Sequence, residues 1–130
     1  MKYKYKNYGP ETLRPVIRIE ISHNQRTVPY EVLIDSGADI CIFDEDVAII
    51  LGINMVKGIR REVIGVTGIP QYYYLHAVSL NVGNVKYQTE VGFMKLSNQV
   101  FGIVGQKGFF DRFIVKFDLN KKEVELKERT

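Results

Sequence analysis

The 130-residue sequence predicts a single all-β domain, mainly strands with one or two short helices. Apolar and polar residues alternate in several segments, as they do in strands that bury one face. Turns that contain glycine or asparagine separate these segments at the spacing of hairpins. Only one segment combines the capping residues and the length of a helix. We expect an N-terminal arm at residues 1–12 and the domain at residues 13–130.

The first half of the chain is expected to open with a β-hairpin. Residues 16–21 alternate apolar and charged side chains, and residues 27–34 return after a polar turn at 22–25. Pro29 fits only an edge or a bulge of the second strand, because proline has no N–H to donate. Before this hairpin, residues 2–6 alternate lysine and tyrosine, which predicts either a mobile arm or an added edge strand.

The predicted helix covers residues 44–52. Asp44 is placed to cap its N-terminus, and the two acidic residues that follow complement the helix dipole. Gly52 can end the helix in a left-handed turn. A short apolar strand at residues 40–43 is expected to lead into it.

Three further hairpins are predicted in the second half of the chain. Their paired segments are 61–64 with 71–77, 78–82 with 85–91, and 114–118 with 123–127. Residues 65–68 would form the glycine-bearing tip of the first hairpin, and a Gly-Asn pair is an acceptable tight turn for the second. Strands therefore dominate the predicted domain.

The composition excludes a disulfide scaffold and the usual zinc sites. Cys41 is the single cysteine, and His23 and His76 are the only histidines, so metal-ligand spacing is absent. We predict that Cys41 is a buried small hydrophobic residue and that both histidines are structural or solvated. Neither a metal nor a cofactor is expected.

Nucleic-acid and membrane functions are also disfavoured. The net charge of +3 is mild, and lysine and arginine do not concentrate in one stripe. The tyrosines at 72–74 alternate between strand faces, which argues against a base-stacking platform. No stretch is long enough to span a bilayer, and the first residues lack the apolar run of a secretory signal. A cytoplasmic location is therefore expected.

Residues 33–39, Leu-Ile-Asp-Ser-Gly-Ala-Asp, carry the candidate chemistry. The carboxylate of Asp35 directly follows an apolar strand and precedes Ser36 and Gly37. One interpretation is an Asx turn, in which Asp35 caps its own backbone and Gly37 takes a positive φ. The other is a loop that presents a reactive carboxylate. The residues of this loop leave both open.

This segment resembles the active-site loop of retropepsin-like aspartic proteases. Three other segments resemble that family in the expected chain order: a flap at 62–68, the apolar-apolar-Gly segment at 102–106 that passes beneath the loop, and the Arg-Pro entry to the first strand at 13–18. The resemblance covers residues 13–127 and is closer to cellular and prokaryotic members than to retroviral ones. It implies a closed acid-protease barrel with a flap hairpin.

The resemblance further implies an aspartic endopeptidase that is active as a homodimer. The chain has one Asp-Ser-Gly motif, so each of two chains would supply one Asp35. The two carboxylates would share a proton, and the ionised one would activate a water for attack on a peptide bond. Ser36 would hydrogen-bond across the twofold axis. An intermolecular sheet from the last hairpin, residues 114–127, is a further expectation.

The same resemblance assigns residues to peptide binding and to the dimer. The expected peptide-binding residues are Leu33, Gly37, Ala38, Asp39, Ile64, Gly65, Val66, Thr67, Gly68 and Ile103. Gln106 stands where retroviral enzymes often have an arginine that pairs with the aspartate matching Asp39, so we expect Arg14 of the second chain to take that place. The principal alternative is a non-catalytic peptide-binding or dimerisation module on the same fold.

Overall fold

The computed structural model describes residues 1–64, 68–96 and 101–130, which form a mainly β domain as predicted. The strands of these ranges are β1 (Lys2–Lys4), β2 (Lys6–Asn7), β3 (Leu13–Arg14), β4 (Val16–His23), β5 (Arg26–Ile34), β6 (Ile42–Asp44), β7 (Ile59–Ile64), β8 (Pro70–Val82), β9 (Val85–Met94), β10 (Gly102–Val104), β11 (Phe113–Asp118) and β12 (Glu123–Glu128). The helix α1 (Glu45–Ile50) and a 3-10 turn at Met55–Lys57 lie between β6 and β7.

A closed barrel forms the centre of the domain. Its strands follow the order β4-β5-β10-β6-β9-β8, and β8 returns to pair with β4. β7 continues the sheet beyond β8 as a seventh strand. The pairs β5–β10 and β6–β9 are parallel. The barrel implied by the resemblance is thus confirmed.

Alternating apolar side chains fill the barrel. On β4, Ile17, Ile19 and Ile21 are buried, while the charged residues between them are exposed, which is the pattern that predicted this strand. Phe43 and Phe93 meet edge to face in the centre, with ring centroids 6.1 Å apart. The burial expected for the cysteine is confirmed, since Cys41 belongs to the same core.

The first hairpin is tighter than predicted. β4 continues to His23 and β5 begins at Arg26, so the turn contains only Asn24 and Gln25. Both turn residues have positive φ, 47° and 69°, which suits a two-residue hairpin connection. The predicted four-residue turn was therefore too long.

The helix is shorter than predicted, and the strand before it begins later than predicted. Asp44 is the N-cap, as predicted, and its side chain accepts a hydrogen bond from Asp46 N–H. Gly52 follows with φ 73°. The apolar strand starts at Ile42 rather than at 40, because Ile40 instead forms an isolated parallel bridge with Lys107. Across the described ranges, no helix is long and apolar enough to cross a membrane.

One strand replaces two of the predicted segments. β8 runs without a break over 13 residues, pairing with β7 along its first half and with β9 along its second. The prediction divided it at 77–78, but no glycine or proline interrupts the chain there. The two hairpins consequently share a strand.

The N-terminal arm packs on the domain as an added edge strand, one of its two predicted forms. β1 pairs with β12, and Tyr3 and Tyr5 contact the hydrophobic core. β2 and β3 pair with each other farther along. β12 lies between β1 and β11, so both of its edges are paired within the chain. An intermolecular sheet would have to extend from the outer edge of β1 or of β11.

Candidate active site

Asp35 lies at the point where two parallel strands end side by side. β5 and β10 run in the same direction, with Ile34 beside Val104. The N–H of Asp35 donates to Val104 O at 3.0 Å. The barrel wall therefore fixes the position at which the chain leaves β5 and enters the Asp-Ser-Gly loop.

The loop holds the Asp35 carboxylate through its own backbone. Gly37 N–H donates to Asp35 Oδ1 at 2.9 Å, and Ala38 N–H donates to Asp35 O at 3.2 Å. This is an Asx turn, although the positive φ expected for Gly37 was wrong: the turn closes without it. Asp35 is half-buried, and Ser36 and Gly37 are exposed. The turn thus fixes a carboxylate at the surface, so the two interpretations of the loop are compatible.

The chain after β10 passes directly beneath this loop, in the place that the resemblance gave it. The N–H groups of Gln106 and Lys107 donate to the carbonyls of Ala38 and Asp39, at 2.8 and 3.0 Å. Gly105, the residue before Gln106, lies close against the loop backbone, because a Cβ at this glycine would lie only 2.6 Å from Ile40 O. The absence of a side chain is what permits this close approach.

The side chain of Gln106 contacts the Asp-Ser-Gly loop rather than a charged group. Its Nε2 donates to Ser36 O at 2.7 Å. Asp39 is exposed, and within the described residues of this single chain it forms no ion pair with a lysine or arginine. Arg14 is also exposed, and its guanidinium lies over the Phe101 ring, 5.9 Å from the centroid. The expected ion pair would join Asp39 of one chain to Arg14 of a second chain, so it is not a contact within a single chain.

A groove of about 460 Å³ opens beside the loop. It is lined by Gly37, Ala38, Asp39, Ile40, Ile42, Val63, Gln71, Tyr73, Met94, Leu96 and Ile103. Four of the residues predicted to bind peptide, Gly37, Ala38, Asp39 and Ile103, are therefore brought together here. Leu33 is half-buried next to Ile103 in the sheet but does not line this groove.

Most of the apolar groove wall was missed by the sequence analysis. Met94 ends β9 and Leu96 follows it, and β9 reaches the site through its parallel pairing with β6. No local pattern in the sequence indicates that pairing. Val63 and Gln71 face each other across the β7–β8 hairpin, so a predicted register for this hairpin would have identified them together.

The predicted flap corresponds to the β7–β8 hairpin. Gly65, Val66 and Thr67, three of the residues predicted to contact peptide, lie outside the described residues. Ile64 ends β7 opposite Pro70, and Gly68 has φ 75°, with no atom of the described residues within 4 Å of an added Cβ. The stem of the hairpin borders the groove.

Other reactive groups are placed for structural roles. Cys41 is buried beneath the loop, and burial raises the pKa of its thiol to about 12, so the thiolate is scarce near neutral pH. The Nε2 atom of His76 is 2.7 Å from Met55 O, and its ring packs edge to face on Phe93. No group of three or more potential metal ligands occurs in the part of the chain that the structure describes.

Known proteins share both the sequence pattern and the fold. A family model described as aspartyl protease matches residues 19–107. A retropepsin-like aspartic protease from Rickettsia conorii superimposes with a TM-score of 0.64 at 14% identity, covering 97% of this chain and 88% of that chain. The EIAV protease complexed with the inhibitor HBY-793 gives 0.49 at 19% identity, with 78% and 88% covered. None of the curated proteins matches the sequence.

Proposed function

The chain belongs to the aspartyl protease family, and from this premise we propose that it is an aspartic endopeptidase that acts as a homodimer. The observation that carries the proposal is the Asp35 carboxylate, which a backbone N–H holds on an exposed loop beside an apolar groove. A carboxylate next to a groove for apolar side chains is what peptide-bond hydrolysis by an acid protease needs.

One carboxylate is insufficient for this chemistry. The chain has a single Asp-Ser-Gly motif, so the second carboxylate would come from a second copy related by a twofold axis near the loop. Ser36 is exposed, which suits a hydrogen bond across that axis. Arg14 and Asp39, both exposed and unpaired with each other in one chain, would form an ion pair between the chains.

The proposed reaction begins with one proton shared by the two Asp35 carboxyl groups, since two adjacent carboxylates do not both ionise readily. The ionised carboxylate takes a proton from water as the water oxygen attacks the carbonyl carbon of the peptide bond. The protonated carboxyl donates a hydrogen bond and then its proton to the carbonyl oxygen, giving a tetrahedral diol. Proton transfer to the nitrogen breaks the C–N bond and releases a carboxylic acid and an amine.

The groove determines which peptide fits. Its walls are mainly apolar, with Ile42, Tyr73 and Met94 on three different strands or strand ends, so it suits an apolar side chain. Gly37 and Asp39 would bind the peptide backbone beside it, and Leu33 and Ile103 would form further subsite walls. Residues 65–68, the predicted flap tip, would close over the bound peptide and exclude water.

Cleavage of a diverse peptide library at pH of about 4 to 6 tests the proposal. Wild type is compared with Asp35→Asn, whose side chain has nearly the same shape, and both are assayed with and without pepstatin. We expect cleavage by the wild type alone and inhibition by pepstatin. Circular dichroism and sedimentation of the variant provide the control for folding and assembly.

Mixing the two proteins tests whether both chains contribute. At equal concentrations, random exchange leaves about one quarter of the dimers with two Asp35 residues. Activity per wild-type chain should then fall by about half, whereas independent active sites would leave it unchanged. A dimeric wild type that retains peptides without cleaving them would refute the protease and favour the peptide-binding module.

A further inference from the structure

We infer that Gln106 is a positioning residue that orients the Asp35 carboxylate through the Ser36–Gly37 peptide group. This inference rests on the proposed protease function. Gln106 lies outside the Asp-Ser-Gly motif, and its side chain touches neither carboxylate oxygen in the described hydrogen bonds. It would act through the backbone between them.

A single peptide group connects Gln106 to the catalytic carboxylate. Its carbonyl, from Ser36, accepts a hydrogen bond from Gln106 Nε2 at 2.7 Å. Its N–H, from Gly37, donates to Asp35 Oδ1 at 2.9 Å. The peptide plane is therefore held at both ends, and its rotation about the chain would break both bonds together.

This arrangement affects the carboxylate in two ways. Hydrogen bonds in series polarise one another, so a donor at the carbonyl strengthens the bond that the N–H gives to Asp35. The donor that occupies Oδ1 leaves Oδ2 for the shared proton. Gln106 would thus help to select which oxygen of Asp35 takes part in proton transfer.

The loop backbone does not depend on the Gln106 side chain. Backbone N–H groups of Gln106 and Lys107 still bind the Ala38 and Asp39 carbonyls if the amide is removed. Changing the amide should therefore release the Ser36–Gly37 peptide plane without displacing the rest of the loop. If the Gln106 side chain were only structural, changing it would lower the stability of the protein instead.

Gln106→Glu is the sharpest test because it has nearly the same shape but no N–H donor. Near pH 6 its carboxylate would repel Ser36 O, and we expect kcat to fall about 10- to 100-fold with little change in KM. Below pH of about 4 the carboxyl is protonated and can donate its O–H, so the deficit should shrink. Gln106→Arg keeps N–H donors and should restore kcat to within about threefold of wild type.

The control is Gln88→Glu, the same chemical change at an exposed position on β9. It should leave kcat and the pH profile unaltered. The charged groups around position 106 are Asp35 and Asp39 on the loop, the adjacent Lys107, and Asp111, whose N–H donates to Gln106 O at 3.0 Å. All of them are common to wild type and variants, so a difference in profile reports the side chain at 106.

A second readout does not require activity. In NMR spectra near pH 6, the Gly37 amide proton should move upfield and exchange faster in Gln106→Glu, and should return toward wild type in Gln106→Arg. If the wild type cleaves no peptide, the proposed function fails, but this measurement still decides the inference. A Gln106→Glu protein with wild-type kcat, pH profile and Gly37 resonance would overturn it, as would a pH-independent loss accompanied by a lower melting temperature.

Discussion

Replacing Gly105 by alanine should displace the Asp-Ser-Gly loop. The added Cβ would lie 2.6 Å from Ile40 O, and closer still to Ala38 O. Ordinary van der Waals contact begins near 3.4 Å, so the carbonyl oxygens would have to retreat by about 0.8 Å or more. Both oxygens belong to the backbone, and Ala38 O already accepts the hydrogen bond of Gln106 N–H. No rotation of a side chain relieves the overlap.

The expected cost follows from these contacts. Overpacking of a well-packed site destabilises by about 1–3 kcal/mol, and loss of the Gln106–Ala38 hydrogen bond adds about 1 kcal/mol. Gly105→Ala should therefore lower the free energy of unfolding by about 2–4 kcal/mol. With a urea m-value of about 1.5 kcal/mol/M, the midpoint falls by about 1.3 to 2.7 M. A loop shifted by this distance should also lose about 100-fold in kcat.

Urea unfolding followed by far-UV circular dichroism, at one fixed protein concentration, measures the stability change. The matched control is Gly102→Ala on β10, three residues before Gly105, where the new Cβ would meet the Tyr30 ring at 2.5 Å and the Phe43 ring at 3.0 Å. It should lose stability but keep most of its kcat, because side chains rather than the Asp-Ser-Gly loop take up the strain. Wild-type stability and cleavage in Gly105→Ala would refute the reasoning, as would equal losses of kcat in both variants.

Two further predictions concern groups around the loop. The Cys41 thiol, whose pKa burial raises to about 12, should not react with a disulfide reagent at pH 8 until urea unfolds the protein. The thiol pKa in the unfolded chain is 9.0, so the contribution of the raised pKa to stability is complete below pH 9.0 and is lost as the pH rises toward 12. Cys41→Ala lacks this contribution, so its urea midpoint should fall less than that of the wild type between pH 9.0 and pH of about 11. Tyr87→Phe removes the hydroxyl that donates to Gly108 O at 2.7 Å and should lower the free energy of unfolding by about 1–3 kcal/mol. Tyr72→Phe, at the surface, should lower it by less than about 0.5 kcal/mol. Equal melting curves for the two tyrosine variants would contradict the buried hydrogen bond.

Elements with local signals were predicted well from the sequence. Strand β4 alternates apolar and charged residues, and α1 has an N-cap aspartate whose hydrogen bond depends only on its own neighbours. Elements whose limits depend on distant partners were predicted less well. β6 starts at Ile42 because Ile40 pairs with Lys107, which lies 67 positions later in the sequence. No local sequence pattern predicts that pairing.

The residues of the candidate site show the same difference between local signals and distant pairings. Asp35 and the segment around Gly105 were identified because each belongs to a short motif. The groove beside them is built where β6 meets β9 and β10, so Met94 enters it through a pairing that the sequence does not reveal. The position of Gln106 was recognised as unusual, but its bond to Ser36 O depends on the path of the loop above it.

Contacts within one chain position its own half of the proposed catalytic site. Val104, Gln106 and Lys107 hold the loop from the barrel side, while Ser36 and Gly37 remain exposed on the other side. In the homodimer that we propose, association would then supply a second carboxylate but would not have to order the loop. Changes to the inner supports should accordingly lower the activity of each dimer, whereas changes at Arg14 or Ser36 should alter how many dimers form.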